Sequence, residues 1–269
     1  MLPILRKLPS VLPRNTFQGF RFASTELVKT QVDDKTGIAV VSMNRGPVNC
    51  LNLDLFRAIT SAVDAVEQNK STGMILSSSL EKVFCAGLDF TEIYQPDAAR
   101  FREFWTAFQD MWLKFFGTSL VTAAAVNGHA PAGGCVLAMC CEYRAMRSNF
   151  TIGLNEVPIG LVPPAFVMAT TLNVLARREA ELVLTVGELM STQKSHKIGL
   201  VDDVVDTKEE AIAKCMDYIQ QFTKVPKTAR ALTKQSFRRN CLETLDDREK
   251  DLQAFYKNIT EPDFQKGLG

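Results

Sequence analysis

The chain has 269 residues, of which 46% are hydrophobic and 23% are charged, and its net charge is +1. This is the composition of an ordinary globular protein, and the length suffices for a sizeable core. The near-neutral charge gives no reason to expect nucleic acid or an anionic membrane as a partner. No apolar run in the sequence is long enough to form a membrane span.

The N-terminal segment 1–25 differs from the rest of the chain. Before the first acidic residue, Glu26, it carries four basic residues: Arg6, Lys7, Arg14 and Arg21. This basic, acid-free composition predicts a mitochondrial transit peptide that is cleaved near residues 22–25, and therefore a protein of the mitochondrial matrix. The alternative is a basic N-terminus without a targeting role.

Apolar strands and amphipathic helices alternate in the first part of the chain. The pattern predicts strands at 37–45, 72–79 and 119–128, and helices at 52–69 and 97–116. It also predicts that segment 134–146 is helical at its start and then extended. Asn52 and Asp97 stand where helix N-caps are expected. Such an alternation predicts an α/β domain with parallel strand pairing.

From about residue 164 onwards, helical patterns follow one another. They are predicted at 164–175, 177–186, 191–198, 208–223, 227–240 and 245–258, with one short strand at 200–205. We therefore expect a core over 26–200 and a helical C-terminal region over 201–269. The seven cysteines are odd in number and show no CxxC spacing, so we predict reduced, mostly buried thiols and no metal site.

Two tight turns rich in small residues end apolar runs. The first lies in VFCAGLDF (83–90) and the second in NGHAPAGGCVLA (127–138). A turn without bulky side chains lets a ligand approach the backbone and directs N–H groups at it. Taken alone, either turn is more simply explained as a strand-to-helix connection.

Taken together with IGLNEVPIGLVPP (152–164) and KIGLVDDVV (197–205), the two turns resemble motifs of the crotonase superfamily of enoyl-CoA hydratases and isomerases. The resemblance extends over residues 37–258 in a consistent order. It implies an α/β fold with a crotonase-like ββα spiral core, and a helical C-terminal region that serves trimerisation and the acyl-CoA pocket. The implied partners are an acyl-CoA thioester substrate and two further copies of the chain in a homotrimer.

The detailed similarity is to the isomerase branch of this superfamily. It rests on AGLDF (86–90), APAGGC (130–135) and GLNE (153–156), with Phe90 and Ala130 as modest departures. The resemblance implies that the backbone N–H groups of Leu88 and Gly133 form an oxyanion hole for the thioester carbonyl. The implied substrate-binding residues are Ala86, Gly87, Leu88, Asp89, Phe90, Gly133 and Asn155.

Glu156 stands at the position of the catalytic glutamate of the family. The resemblance implies that it removes a proton from C2 of the acyl chain and returns one at C4. Four apolar neighbours surround it in sequence: Ile152, Leu154, Val157 and Ile159. Burial among such residues predicts a raised pKa of the carboxyl, which suits proton exchange.

Hydratases of this superfamily carry a second glutamate directly after the cysteine of the second turn, where this chain has Val136. Water addition needs two acid/base groups, so the resemblance implies an isomerase that converts 3-enoyl-CoA to trans-2-enoyl-CoA in mitochondrial β-oxidation of unsaturated fatty acids. No cofactor is implied, because coenzyme A is part of the substrate. The alternatives are another crotonase-type enzyme, such as a hydratase or a thioesterase, and a non-catalytic acyl-CoA- or RNA-binding relative.

Two further features have less weight. The segment 224–239 carries six positive charges, which we expect on a solvated helix face. Contact with the CoA phosphates, or with RNA, is the alternative. His129 lies beside the second turn, and we expect it to pack rather than to catalyse.

Overall fold

The computed structural model of the protein describes residues 20–24 and 26–268. Most of the predicted transit peptide, residues 1–19 and 25, lies outside the described residues. Residues 20–24 form an edge strand, so residues 22–24 of the predicted cleavage segment lie in an element of the sheet.

Strands form a large central sheet and a small second sheet. In chain order they are β1 (Phe20–Ser24), β2 (Val28–Asp33), β3 (Ile38–Met43), β4 (Gly73–Ser78), β5 (Val121–Val126), β6 (Ala130–Pro131), β7 (Tyr143–Arg147), β8 (Thr151–Gly153), β9 (Met190–Ser191) and β10 (Asp203–Val205). The large sheet has the order β1-β2-β3-β4-β5-β7-β10, and the small one the order β6-β8-β9.

Strand pairing confirms the predicted parallel core. The strands from β3 through β4, β5 and β7 to β10 are all parallel neighbours, whereas β1, β2 and β3 pair antiparallel. Because the carboxyl ends of parallel strands meet at one edge, the loops that follow β3, β4 and β5 are brought together there. Both small-residue turns lie in those loops.

Helices occupy the positions that the periodicity predicts, with one addition near the C-terminus. They are α1 (Leu53–Gln68), α2 (Ala98–Gly117), α3 (Gly133–Cys140), α4 (Ala165–Val174), α5 (Arg177–Val186), α6 (Thr192–Lys197), α7 (Lys208–Gln220), α8 (Lys227–Leu242), α9 (Arg248–Ile259) and the unpredicted α10 (Pro262–Leu268). Asn52 and Asp97 cap α1 and α2 as expected, accepting N–H groups at 3.0 and 2.8 Å. Within the part of the chain that is described, no helix is long and apolar enough to cross a membrane.

α2 carries a stripe of aromatic residues that lies in the core: Phe101, Phe104, Trp105, Phe108, Trp112 and Phe115. Phe108 stacks on Phe56 of α1 with ring centroids 4.8 Å apart, and Trp105 stacks on Phe255 of α9 at 3.9 Å. Aromatic pairs of this size dominate core energetics. The C-terminal helices therefore pack on α2, which joins them to the α/β core.

The basic segment 224–239 corrects one expectation, because half of its charges are not solvated. Arg230, Lys234 and Arg238 recur every four residues on the inner face of α8. Lys234 donates to Glu142 at 2.9 Å, and Arg238 donates to the Phe116 carbonyl at 2.7 Å. Buried charge requires such partners. The remaining three basic residues are exposed: Lys224, Lys227 and Arg239.

All seven cysteines are free, as expected, and all but the half-buried Cys50 are buried. Burial raises the pKa of the Cys85 and Cys141 thiols to about 12, so these groups stay protonated near neutral pH. They behave as small apolar core residues.

Candidate active site

The two small-residue turns are in direct contact. A Cβ atom added to Gly133 would lie 3.3 Å from the Cα atom of Gly87, and one added to Gly87 would lie 3.3 Å from the backbone nitrogen of Gly133. Gly87 has a φ of +91°, a conformation that glycine adopts without steric cost. Side chains at either position would separate the turns, so both residue types follow from the contact.

Backbone hydrogen bonds bring the first turn onto the second. The N–H groups of Phe84 and Cys85 both donate to the carbonyl of His129, at 2.9 and 3.2 Å. A Cβ atom on Gly134 would lie 2.2 Å from the Cys85 carbonyl oxygen, so only glycine fits there. The second turn therefore needs glycine at two consecutive positions.

The Leu88 N–H is left free by the way its neighbours pair. The Leu51 N–H donates to the Gly87 carbonyl at 2.8 Å, and the Asp89 N–H donates to the Leu51 carbonyl at 3.0 Å. Successive peptide groups of an extended segment point to opposite sides. The Leu88 N–H thus points away from Leu51, and it has no acceptor among the described residues.

The Gly133 N–H is free for a different reason. Gly133 is the first residue of α3, and the first N–H groups of a helix have no intrahelical acceptor. Its N–H has no other acceptor in the described part of the chain. Both donors predicted for the oxyanion hole are thus unpaired, on turns that touch.

Backbone strain marks the second turn. Ala132 has φ 48° and ψ −119°, a conformation strongly unfavourable for a residue with a side chain. Such outliers cost about 1–3 kcal/mol and concentrate at functional sites. The Ala132 N–H donates to the Gly153 carbonyl at 2.8 Å, which holds the strained residue against β8.

Glu156 follows β8 by three residues, and the pairing of β6 with β8 carries it to the second turn. Its Oε2 atom is buried and has no hydrogen-bond partner in the described structure. Burial raises the pKa of the carboxyl from 4.5 to about 7, as its apolar surroundings predict. The charge of Glu156 also contributes to raising the pKa of Cys135, which places this carboxyl near the start of α3.

The apolar neighbours of Glu156 are only partly the source of this burial. Ile152 and Leu154 are 0% and 1% exposed, whereas Val157 and Ile159 are each 42% exposed. The expectation that all four surround the carboxyl is therefore wrong for two of them. A three-residue 3₁₀ turn over Val157–Ile159 carries these two side chains outwards.

Asn155 supplies a second buried acceptor without a partner, its Oδ1 atom. Unpaired buried oxygens at two consecutive residues are costly and require an explanation. They fit a site that a polar ligand completes. This observation agrees with the predicted substrate contact of Asn155 and does not by itself test it.

Asp89 and Phe90, two predicted substrate-binding residues, have different surroundings. The Asp89 carboxylate forms an ion pair with Arg45 at 2.7 Å and accepts the Thr91 N–H at 3.1 Å. Burial opposes its ionisation, but hydrogen bonds from Thr91 and Arg45 prevail and lower the pKa of Asp89. Its carboxylate is therefore engaged in holding the turn. Phe90 is 54% exposed.

Two other residues near the turns are Val136 and His129. Val136 is 2% exposed inside α3 and has no titratable group. His129 is held by Thr151, whose Oγ1 atom lies 2.9 Å from its Nδ1 atom, and packs edge-on against Phe150. The expected packing role of His129 agrees with these contacts.

The segment 45–51 belongs to the site although its pattern did not indicate this. The Asn49 amide donates to the Phe84 carbonyl at 2.9 Å, and the Ala86 N–H donates to the Val48 carbonyl at 3.0 Å. Asn49 is fully buried and has a φ of +51°. An asparagine after a strand-ending turn is the signal available in the sequence, but its partner Phe84 lies 35 residues away.

Known proteins provide an independent comparison. A family model described as enoyl-CoA hydratase/isomerase matches residues 33–269. The chain belongs to the enoyl-CoA hydratase/isomerase family. Its crotonase fold, predicted from the motifs, is thereby confirmed.

Three members illustrate the likeness. The mouse mitochondrial enoyl-CoA delta isomerase 1 is 35% identical over 259 residues, which cover 95% of this chain and 89% of that protein. The crystal structure of human mitochondrial delta3-delta2-enoyl-CoA isomerase superimposes with a TM-score of 0.86 and 34% identity, over 90% of this chain and 95% of that one. An enoyl-CoA hydratase from Bacillus halodurans has a TM-score of 0.80 over 90% and 98% of the two chains, but its 18% identity shows the fold alone.

Proposed function

We propose that this family member is an isomerase that moves the double bond of a 3-enoyl-CoA, cis or trans, to the trans-2 position. The observation that carries the proposal is the Glu156 carboxyl, whose Oε2 atom is buried and unpartnered and whose pKa is raised to about 7, and which is tied to the turn that presents the Gly133 N–H. A carboxyl of this kind both accepts and returns a proton near neutral pH. The identity to two proteins named as isomerases supports the same reaction.

The free N–H groups of Leu88 and Gly133 would hold the thioester oxygen. As the C2 proton leaves, negative charge builds up on this oxygen, and two fixed donors stabilise it without reorganisation. Removing one such donor typically costs about 3–4 kcal/mol of transition-state stabilisation. Both donors are backbone groups, so turn geometry matters more than the side chain at 88.

Glu156 would carry the proton between two carbons. Glu156 takes the proton from C2, and the electron pair of the C2–H bond forms the C2–C3 double bond. The π electrons of the former C3–C4 double bond move to C4, and the negative charge is shared between C4 and the thioester oxygen. Glu156, now protonated, gives its proton to C4. The carboxyl regains its starting state, so no cofactor is needed beyond the coenzyme A of the substrate.

Hydration is the second candidate, because the family includes hydratases. Adding water across C2–C3 requires a water molecule held between two acid/base groups, and the proposed site offers Glu156 with Val136 in the second position. A buried valine offers no hydrogen bond to such a water. This favours isomerisation over hydration.

The proposed setting is the mitochondrial matrix, after removal of residues 1–25. The basic, acid-free N-terminus and the mitochondrial names of the similar mammalian proteins support it. The proposed assembly is a homotrimer built through the C-terminal region 201–269. Two large apolar side chains of α8, Leu232 and Phe237, are 58% and 75% exposed, which favours cover by another copy.

An ultraviolet assay of double-bond conjugation tests the function. Purified protein is given 3-hexenoyl-CoA and 3-dodecenoyl-CoA, and we expect the conjugated 2-enoyl thioester to appear with both. Glu156→Gln is the matched control, since it keeps the shape of the side chain and removes the base. Absence of conjugation by the wild-type protein with both substrates would refute the proposed function.

A further inference from the structure

The C-terminal helix α10 contacts two segments that follow residues of the candidate site in sequence. One is segment 93–95, which follows the Leu88 turn and its 3₁₀ turn at Phe90–Glu92. The other is segment 160–162, which follows Glu156. Neither sequence periodicity nor the family motifs gave α10 a role.

Gln265 binds the first segment through both ends of its amide. Its Nε2 atom donates to the Ile93 carbonyl at 2.9 Å, and its Oε1 atom accepts the Gln95 N–H at 2.8 Å. Gln95 has a φ of +44°, which a residue with a side chain seldom adopts. The side chain of Gln265 therefore holds a strained backbone position.

Residues 89–92, which precede the first segment, are held by contacts other than those of Gln265. The contribution of Gln265 is therefore confined to residues 93–95. Asp89 is paired with Arg45, and Glu92 forms an ion pair with Arg100 at 2.7 Å. Among the described residues, every hydrogen bond that joins residues 93–95 to a distant part of the chain is made with Gln265.

The second segment is held by the neighbours of Gln265. Phe264 is 5% exposed, and its ring lies 4.0 Å from where a Cβ atom on Gly160 would be. Asn258 of α9 accepts the Val162 N–H at 2.8 Å. Gln265 also donates to the carbonyl of Ile259, the residue after Asn258, at 2.5 Å.

We propose that Gln265 is a positioning residue that fixes the loop after the Leu88 donor relative to the loop after Glu156. This inference rests on the proposed function for its kinetic consequence. Its structural content, that one amide joins the two loops through α9 and α10, stands without it. The Leu88 N–H and the Glu156 carboxyl then keep their spacing, because both loops are hydrogen-bonded to the helix pair α9 and α10.

The kinetic test compares Gln265→Ala with Lys266→Ala. Lys266 is the next residue of α10, is exposed and has no partner among the described residues. Since misplacing catalytic groups by about 1 Å costs on the order of a hundredfold in rate, we expect kcat to fall at least about tenfold in Gln265→Ala. KM should change less than about threefold, because Gln265 is not among the proposed substrate-binding residues. Lys266→Ala should match the wild type.

Amide hydrogen exchange separates this inference from the proposed function, because it needs no substrate. In Gln265→Ala the Gln95 amide loses its acceptor, so it must exchange faster whether or not the loops are joined. The Val162 amide is the informative one, because its own acceptor, Asn258, is still present in this variant. We expect both amides to exchange faster in Gln265→Ala and neither in Lys266→Ala. In Asn258→Ala, conversely, we expect the Gln95 amide to exchange faster than in the wild type.

Two results would overturn the inference. One is faster exchange at Gln95 with an unchanged Val162 amide, which would mean that the loops are not joined. The other is an unchanged kcat in an active Gln265→Ala enzyme. If the wild type fails to isomerise 3-enoyl-CoA, the proposed function falls and the exchange experiment still decides whether Gln265 joins the loops.

Discussion

The amide of Ala132 donates to the carbonyl of Gly153 at 2.8 Å, and this bond joins the second small-residue turn to the strand that ends three residues before Glu156. The proposed donor Gly133 and the proposed base Glu156 thus follow two strands, β6 and β8, that are paired with each other. Ala132 is itself strained. Strain is tolerated where surrounding contacts over-determine the backbone, as they do here.

The proposed base can be tested by replacing its carboxyl. Glu156→Gln preserves the shape of the side chain and removes the proton acceptor, so we expect kcat for 3-enoyl-CoA to fall by about 10²- to 10⁴-fold. Acyl-CoA binding, measured by calorimetry with a saturated analogue, should survive. Near-wild-type turnover would place the base on another residue.

The same substitution should change the pH dependence of stability. A carboxyl whose folded pKa is raised from 4.5 to about 7 binds its proton more tightly in the folded state, so it costs no stability below pH 4.5. Between pH 4.5 and 7 the wild type progressively loses up to about 3 kcal/mol from this group.

Glu156→Gln carries no charge and should escape this loss. We expect urea unfolding to give the variant a free energy of unfolding close to that of the wild type at pH 4.5, and a higher one at pH 8. The difference between the two proteins should grow mostly between these values. A constant difference at all pH values would show that Glu156 titrates normally in the folded protein.

The contact between the turns predicts the effect of a side chain at Gly133. In Gly133→Val the new Cβ atom would lie 2.7 Å from Leu51 and 3.3 Å from Gly87, which forces the turns apart. We expect kcat to fall by about 10²-fold or more, as when an oxyanion donor is lost. Gly267→Ala is the matched control, since a Cβ atom there meets nothing within 4 Å. Equal activity of the two variants would mean that the second turn is only a connection.

Local patterns in the sequence predict local features well. The caps Asn52 and Asp97, the helices that they begin and the parallel strands all follow from composition and spacing within a few residues. Strands β1 and β2 were not predicted. Nor were β6, β8 and β9, because two or three residues carry no periodicity. They form only because chain segments distant in sequence pair there.

Long-range partners explain what sequence patterns did not predict. Two of the inward basic residues of α8, Arg230 and Lys234, depend on Glu142, about ninety residues earlier. Gln265 binds Gln95 across 170 residues. In the site itself, the motif predicted Glu156, Leu88 and Gly133 as a group, but the unpaired state of each N–H became visible only from the pairing of Leu51 and the start of α3.

The targeting proposal predicts a processed N-terminus. Because residues 1–25 are basic and lack acids, the protein isolated from mitochondria should begin near residue 24. Cleavage there would remove most of β1, an edge strand that pairs only with β2, and would leave the parallel core intact. N-terminal sequencing that finds Met1 on the mitochondrial protein would contradict the proposal.

The final prediction concerns Val136. Hydration of a 2-enoyl thioester requires one group to activate water toward C3 and another to manage the proton at C2, and the proposed site provides Glu156 alone. The side chain of Val136 is aliphatic, so it offers no hydrogen bond to water. It is also buried in α3, so it excludes water from its side of the site. We therefore expect the protein to convert 3-enoyl-CoA to 2-enoyl-CoA and to stop there.

Chromatography of the products after long incubation should accordingly show almost no 3-hydroxyacyl-CoA. Val136→Glu supplies the missing carboxyl, and we expect hydration of crotonyl-CoA to rise above the wild-type level if the variant folds, which its melting temperature checks. Val136→Leu is the matched control, because it alters size without adding an acid, and it should hydrate no faster than the wild type. If the wild-type protein hydrates crotonyl-CoA at a rate that rivals its isomerisation of 3-enoyl-CoA, a second acid/base group must be present, and the isomerase assignment gives way to the hydratase.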